Sequence, residues 1–167
     1  ADTAAAALDE ITEYITQKLS EEAAQVDAFP TAVRVAEALD TVRRERVAEA
    51  TLSALREDRP QDLFSGMELS EFEPLLDALP PDRTQEFLEL YVRSVVDEDG
   101  LRPDNFQSVL NGPGELLEVK ELQTTFADTI HTARRRGHIS DAKFGAILSD
   151  IREQKPELYT PELVRGK

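Results

Sequence analysis

The amino-acid sequence predicts an all-α fold made of an N-terminal long helical hairpin, a C-terminal bundle of about five helices and an extended C-terminal tail. Apolar residues recur at intervals of three and four through most of the chain, which is the period of an amphipathic helix. No segment alternates apolar and polar residues as a half-buried strand does, and no repeat of about 20 to 50 residues is present. The predicted divisions are residues 1–58 for the hairpin, 59–69 for a linker or short irregular helix, 70–155 for the bundle and 156–167 for the tail.

The hairpin is predicted from two long amphipathic stretches, at about residues 3–26 and 31–57, on either side of the sequence D-A-F-P. Proline disfavours the helical conformation in the residue before it and suits the first turn of the helix that follows. Two helices joined by such a short turn are expected to pack antiparallel. The residues expected to face inward are Leu8, Ile11, Ile15 and Leu19 in the first helix and Val35, Leu39, Val42 and Val47 in the second.

Five shorter amphipathic stretches, separated by proline and glycine, make up the predicted bundle and begin near residues 70, 82, 103, 115 and 140. The stretch after residue 82 has the widest apolar face, so we expect it at the centre of the bundle. It ends at D-E-D-G, which resembles part of a calcium-binding loop. The two end positions of such a loop must supply carboxylates, and here they would be Val95 and Phe106. We therefore expect a polar helix stop at Gly100 and no calcium site.

Composition excludes several functional classes. The 167-residue chain has no cysteine, which excludes disulfides, thiolate catalysis and cysteine-based metal sites. No apolar run approaches the roughly 20 residues that span a bilayer, so no membrane association is expected. The first ten residues lack the basic and apolar regions of a secretory signal. We therefore expect a cytoplasmic location, or a virion if the protein is viral, unless a signal has been removed.

Acidic residues dominate the charge. The 34 Asp and Glu residues outnumber 19 basic residues, of which 14 are Arg and 5 are Lys, and the formal net charge is -15. Such a surface repels phosphate backbones and anionic lipids unless the basic residues gather on one face. An acidic, lysine-poor composition is typical of halophilic proteins, and at about 1 M salt the Debye length is roughly 3 Å, which screens self-repulsion. A GC-rich genome, which favours arginine over lysine, explains the same composition.

No motif in the sequence predicts catalysis or cofactor binding. The sequence contains no nucleophile elbow, no phosphate-binding loop and no dinucleotide fingerprint. Asp128 and His131 have the spacing of a metal-binding pair on a helix, but a di-iron site in a bundle needs a Glu-x-x-His from each of two helices and further glutamates, and there is no second copy. His138 follows Gly137 and is expected off the helix. We therefore predict no catalytic residue, no metal, no cofactor and no small-molecule substrate.

Two arginine clusters interrupt the acidic sequence, and both are predicted to bind a partner. They are Arg43, Arg44 and Arg46 in the second predicted helix and Arg134, Arg135 and Arg136 at the end of the sixth. Ion pairs with acids one turn away on the same helix also explain the first cluster. The second cluster is also explained as the end of a helix, because cations there interact favourably with the helix dipole and Gly137 provides the cap.

The tail supplies further candidate partner-binding residues. It reads P-E-L-Y-T-P-E-L-V-R-G-K, and its prolines favour an extended backbone. The apolar residues in it are Leu158, Tyr159, Leu163 and Val164. They need a surface to cover them, which is either the bundle of the same chain or a neighbouring subunit. The sequence does not distinguish the two.

These observations predict a non-enzymatic helical interaction or assembly protein, acting as a subunit or adaptor of a larger complex. The partner is expected to be another protein or a second copy of the chain. A halophilic or viral origin is consistent with the composition, and a virion head–tail adaptor is one example of a small helical module with an extended tail. The alternative is a nucleic-acid-associated regulator, which needs both arginine clusters on one face. An enzyme built on a hidden pair of carboxylates is the third hypothesis.

Overall fold

The computed structural model describes residues 2–21, 28–57, 67–112 and 119–166, and within them the chain is almost entirely helical, which confirms the predicted all-α class. Most of the predicted linker, and the start of the helix predicted near residue 115, lie outside the described residues. Short 3-10 turns occupy Leu69–Phe72 and Pro156–Leu158. Helices α1 to α9 span Asp2–Ser20, Ala28–Glu37, Thr41–Glu57, Glu73–Leu76, Pro81–Arg93, Pro103–Leu110, Lys120–Arg135, Asp141–Gln154 and Pro161–Arg165.

The N-terminal region contains three described helices, because the second helix predicted from the sequence is divided into α2 and α3. Helix α2 ends at Glu37 and α3 begins at Thr41. The guanidinium of Arg44 donates to the carbonyl oxygens of Ala36 and Leu39 at 2.7 and 3.0 Å. Carbonyls at the end of a helix lack their helical partners, so this side chain stabilises the break. The sequence did not predict this break, because the helical spacing of apolar residues continues through it. Leu39 lies outside both helices and is nevertheless buried.

Helices α1 and α3 run parallel to each other. Arg43 bonds to Asp9 and Arg46 bonds to Glu13, both at 2.7 Å. From the first ion pair to the second, the residue number rises on both helices, so the two helices point in the same direction. The sequence predicted two long antiparallel helices. Helices α1 and α3 are parallel because a further helix, α2, lies between them in the chain.

Two residues predicted to face the core are exposed. Val42 is 69% exposed and Ile11 is 44% exposed. Helix α3 starts anew at Thr41, so its buried face is set by residues such as Val47 and Leu52, and Val42 points away from it. Ile11 belongs to a second apolar line on α1 that the described residues leave uncovered.

A short β-hairpin follows α5, at the place where the sequence predicted a helix stop and no strand. Val96–Asp97 pairs antiparallel with Gly100–Leu101. Gly100 has a φ of +120°, and a Cβ at this position would lie 3.2 Å from the carbonyl oxygen of His138. A side chain is disfavoured there for both reasons. The acids of D-E-D-G therefore serve a turn, in which Asp97 binds Arg102 at 2.9 Å.

One hydrophobic core extends through the described residues, from α1 to α9. At its centre the ring of Phe72 packs against those of Phe87 and Tyr91, with ring centres 5.3 and 6.1 Å apart. The Tyr91 hydroxyl donates to the carbonyl oxygen of Met67 at 2.8 Å and also hydrogen bonds with Ser108. Burial raises the pKa of Tyr91 to about 12, so the hydroxyl keeps its hydrogen at neutral pH. The predicted hairpin and bundle regions thus share this core.

Candidate functional site

The arginine triplet ends helix α7 as the sequence predicted. Gly137 has a φ of +80°. The N–H groups of Gly137 and His138 donate to the carbonyl oxygens of Arg134 and Ala133 at 3.0 and 2.8 Å. Together these two bonds form a Schellman motif, which favours glycine because a left-handed backbone strains residues that have a Cβ. The predicted helix cap is therefore confirmed.

Arg134, which the sequence predicted to bind a partner, contacts helix α8 of its own chain. Its Nη2 atom lies 2.8 Å from Oδ1 of Asp141, and its guanidinium carbon lies 3.9 Å from the ring centre of Phe144. Both partners belong to α8, so the side chain holds α8 against the end of α7. The ion pair and the cation–π contact stabilise the half-buried guanidinium, while its Nε atom is buried and has no hydrogen-bond partner among the described residues.

Three other arginines come together at adjoining clefts, and we call Arg93, Arg135 and Arg136 the arginine surface. Arg93 is the last residue of α5, whereas the other two lie at the end of α7. The larger cleft, of about 520 Å³, is lined by Arg93 and Arg135. The smaller, of about 350 Å³, is lined by Arg93 and Arg136, and Asp128 contributes to both. The packing of α5 against α7 creates this arrangement.

None of these three guanidiniums forms an ion pair with a carboxylate of the described residues. Arg135 donates to the hydroxyl oxygen of Thr132 at 3.0 Å. Arg135 and Arg136 are exposed, as is Arg93. The arginine surface therefore offers donors to solvent in a chain that has many more acids than bases.

The clefts also contain carboxylates, which set the local charge. Once Asp97 is matched with Arg102, three acids remain beside the three arginines. This region is close to neutral, while the chain as a whole carries -15. It therefore repels an acidic partner much less than the average surface of the protein does. The three remaining acids are Glu98, Asp128 and Glu162.

His131 connects the tail to helix α7. Its Nε2 atom lies 2.7 Å from the carbonyl oxygen of Leu163 and 3.1 Å from that of Glu162. A carbonyl oxygen only accepts hydrogen bonds, so Nε2 carries the hydrogen and donates it. The imidazole ring centre lies 5.4 Å from that of Phe144. The histidine of the Asp128–His131 pair therefore holds the tail against α7.

The C-terminal tail folds against its own chain, so the predicted extended conformation is wrong. Pro156–Leu158 forms a 3-10 turn and Pro161–Arg165 forms helix α9. Thr160 caps α9, since its hydroxyl oxygen accepts the N–H of Leu163 at 3.2 Å. Each proline stands in a first turn, where its missing N–H costs nothing and its fixed φ suits a helical turn. These prolines therefore start helical turns instead of extending the chain.

Two of the four tail residues predicted to bind a partner lie in the protein's own core. Leu158 is 1% exposed and Leu163 is 0% exposed, so the prediction that these two residues bind a partner is wrong. Tyr159 is half-buried against the core, and Val164 is 38% exposed. The open question of where the tail docks is answered by this packing: it covers α7 and α8 of the same chain.

The first arginine cluster bonds within the N-terminal helices. Arg43 reaches Asp9 at 2.7 Å and Asp40 at 2.8 Å. Arg46 bonds to α1, and Arg44 caps the end of α2. All three guanidiniums predicted to contact a partner therefore have acceptors in their own chain. Phosphate contacts would have to compete with these bonds.

Arg43 lowers the pKa of two carboxyls. Its side-chain hydrogen bonds hold the pKa of Asp9 and that of Asp40 below the ordinary range. Such a carboxyl contributes stability above its unfolded pKa, and this contribution is lost as pH falls through its folded pKa. We expect Arg43→Gln to raise the pKa of both carboxyls toward the ordinary range of an aspartate, as measured by NMR titration of the side-chain carboxyl carbons. Arg46→Gln is the control and should leave the pKa of Asp40 in place. Unchanged titration of both carboxyls in Arg43→Gln would contradict the assignment.

Arg93 is the functional candidate that the sequence analysis missed. It is a single arginine at the end of an amphipathic helix, far from the triplet in sequence. Only the packing of α5 on α7 brings it beside Arg135 and Arg136. The sequence offered one signal of a binding role for Arg93, which is its position at a helix end. A cation at a helix end also interacts favourably with the helix dipole, so that position did not identify a binding residue.

The described residues hold no group of three or more His, Asp or Glu side chains arranged to bind one metal ion. None of the described helices is long and apolar enough to cross a membrane. Comparison of the chain with protein-family models, with curated proteins and with solved structures finds no match in any of the three. A functional proposal therefore rests on the geometry of the arginine surface.

Proposed function

We propose that this protein is a non-enzymatic interaction or assembly protein, a subunit or adaptor that binds an acidic segment of another protein through the arginine surface. The observation that carries the proposal is the meeting of Arg93, Arg135 and Arg136 at two adjoining clefts without a carboxylate partner among the described residues. Guanidinium groups bind carboxylates in a two-pronged geometry and are common at protein interfaces. An acidic segment lying across both clefts would pair with all three arginines.

The titration of the carboxyls favours a structural over a catalytic role. The described carboxyls with a shifted pKa are Asp9, Asp40, Glu86 and Asp97, and each shift is a lowering. Each of these acids is hydrogen bonded to an arginine. A general acid needs a raised pKa, which burial or a neighbouring carboxylate would provide. The pattern here is that of ion pairs that stabilise the fold.

The nucleic-acid alternative has less support. It requires both arginine clusters to contact phosphates, and the first cluster already bonds to Asp9, Asp40, Glu13 and the end of α2. The analogy with a virion adaptor depended on an extended tail, and the tail is folded. The proposal therefore uses the arginine surface alone and treats binding to DNA as one outcome of its test.

The test measures binding of the full chain to a labelled poly-glutamate peptide and to a labelled DNA duplex of equal charge, by fluorescence anisotropy over a range of salt. The variant replaces Arg93, Arg135 and Arg136 with alanine. The matched control replaces Arg34, Arg152 and Arg165 with alanine, so it loses the same net charge. These three arginines are also exposed and also form no ion pair within the described residues. We expect peptide affinity to fall at least about tenfold in the variant, because guanidiniums are frequent hot spots, and to be retained in the control.

The outcomes separate the hypotheses. Peptide binding that is lost in the variant and kept in the control supports the proposal. Absence of peptide binding, or an equal loss in both proteins, overturns it. Binding to the DNA duplex that the variant alone removes supports the nucleic-acid alternative in its place.

A further inference from the structure

Helix α1 carries a line of exposed apolar residues beside its buried face. Tyr14 is 60% exposed and Ile11 is 44% exposed. Ala7 and Ala4 continue the line toward the N-terminus and are also exposed. We call Ala4, Ala7, Ile11 and Tyr14 the α1 seam. Single exposed apolar residues are common, but four of them with the spacing three, four, three follow the pattern of a helix–helix packing seam.

The α1 seam is distinct from the face of α1 that packs in the core. That face contains Leu8, Ile15 and Leu19, of which Ile15 and Leu19 are 1% exposed. The ion pairs with α3 arise from a third side, through Asp9 and Glu13. Helix α1 therefore has two apolar lines, and the described residues cover only one of them.

The charges next to the seam are arranged to match a second, oppositely directed α1. Lys18 lies one turn beyond Tyr14, and its ammonium group lies 5.6 Å from the centre of that ring. Its ion pair with Glu21 is long, at 3.8 Å, and both side chains are nearly half exposed. Glu10 flanks the seam near its middle and has no ion-pair partner among the described residues. Each copy of α1 thus presents a cation just beyond the C-terminal end of the seam and an acid near the middle of the seam.

We propose that the α1 seam docks antiparallel on the α1 seam of a second copy of this chain. In this arrangement Ile11 of one chain lies opposite Tyr14 of the other, and the small Ala7 lies opposite the long Lys18. The stem of Lys18 then crosses Ala7, and its ammonium group reaches Glu10 of the other chain. The twofold axis repeats each contact, so the surface is complementary to itself. This interface is separate from the arginine surface, so the chain would have one surface for itself and another for a partner.

Salt is expected to strengthen this dimer. Two chains of charge -15 repel each other in dilute buffer, and at about 1 M salt the Debye length of roughly 3 Å removes most of that repulsion. Contacts between arginines and carboxylates weaken with salt instead. Dimerisation and peptide binding should therefore respond to salt in opposite directions, and failure of one proposal is distinguishable from failure of the other.

The first test is the mass of the full chain in analytical ultracentrifugation at about 1 M potassium chloride, a concentration that screens the charge. We expect twice the monomer mass for the unmodified chain and for Val42→Glu, and at least about tenfold weaker dimerisation for Tyr14→Glu. Val42 is a matched control because it is as exposed as Tyr14 and receives the same charge. Circular dichroism checks that both variants are folded. A monomer in the unmodified chain at every concentration, or equal loss in both variants, overturns the proposal.

A charge exchange provides the second test, at the lowest salt at which the unmodified chain is half dimeric. Glu10→Lys and Lys18→Glu should each weaken self-association, and mixing the two variants should restore it as a heterodimer. The two residues are eight positions apart, about 12 Å along the helix, so they do not pair within one chain. Weaker self-association of each variant alone, followed by rescue on mixing, supports the antiparallel register, because a parallel register would already place like charges together in the unmodified chain. Failure of the mixture to associate overturns it.

Discussion

Replacing Phe72 with alanine is expected to lower the free energy of unfolding by about 3–5 kcal/mol, the largest effect predicted for this protein. The side chain is completely buried, and its ring contacts those of Phe87 and Tyr91. It lies at the turn before α4 and packs on α5, so the cavity would form where consecutive elements of the core meet. Chemical denaturation, followed by circular dichroism, measures the change.

Val42→Ala is the control for this experiment. It also removes an apolar side chain, but one that is 69% exposed, and surface substitutions of this kind are usually within about 0.5 kcal/mol of neutral. A loss in Phe72→Ala no greater than that in the control would show that Phe72 is not part of a close-packed core.

Leu163→Ala should release the tail and lower the free energy of unfolding by about 2 kcal/mol or more. Leu163 is fully buried, and its carbonyl oxygen accepts the hydrogen bond from His131. Removing this side chain weakens the packing of the tail on the core. It also leaves the carbonyl less firmly placed for the hydrogen bond from His131. Hydrogen exchange of the backbone amides in residues 156–166 should become much faster, and the increase in α3 should be smaller, because the tail opens locally whereas α3 opens only with the core.

Val164→Ala is the matched control, because it shortens the neighbouring side chain, which is 38% exposed. It should leave tail exchange nearly unchanged. Dilution supplies a further check. Protection of the tail should be independent of protein concentration, since the tail packs on its own chain; a loss of protection on dilution would indicate docking between chains.

The arginine clusters show which features of the site are predictable from the sequence. The sequence correctly identified Arg134 to Arg136 as a helix end, since capping by Gly137 depends only on neighbouring residues. It did not separate Arg134, which binds α8, from Arg135 and Arg136, which face the clefts. It also did not predict that Arg44 would cap α2. Each of these outcomes depends on which residues of other helices lie nearby.

Neighbouring residues in the sequence specify the local structure. The period of apolar residues, the prolines in first turns and the glycine at the end of α7 specify helices and their ends, because hydrogen bonds and steric contacts within a few residues decide them. Only the tertiary contacts decide which apolar side chains are covered, as Leu163 is and Ile11 is not, and which arginines have no ion-pair partner among the described residues, as is true of Arg93. The physical reason is that burial and ion pairing require atoms from distant parts of the chain, and sequence spacing carries no record of those distances.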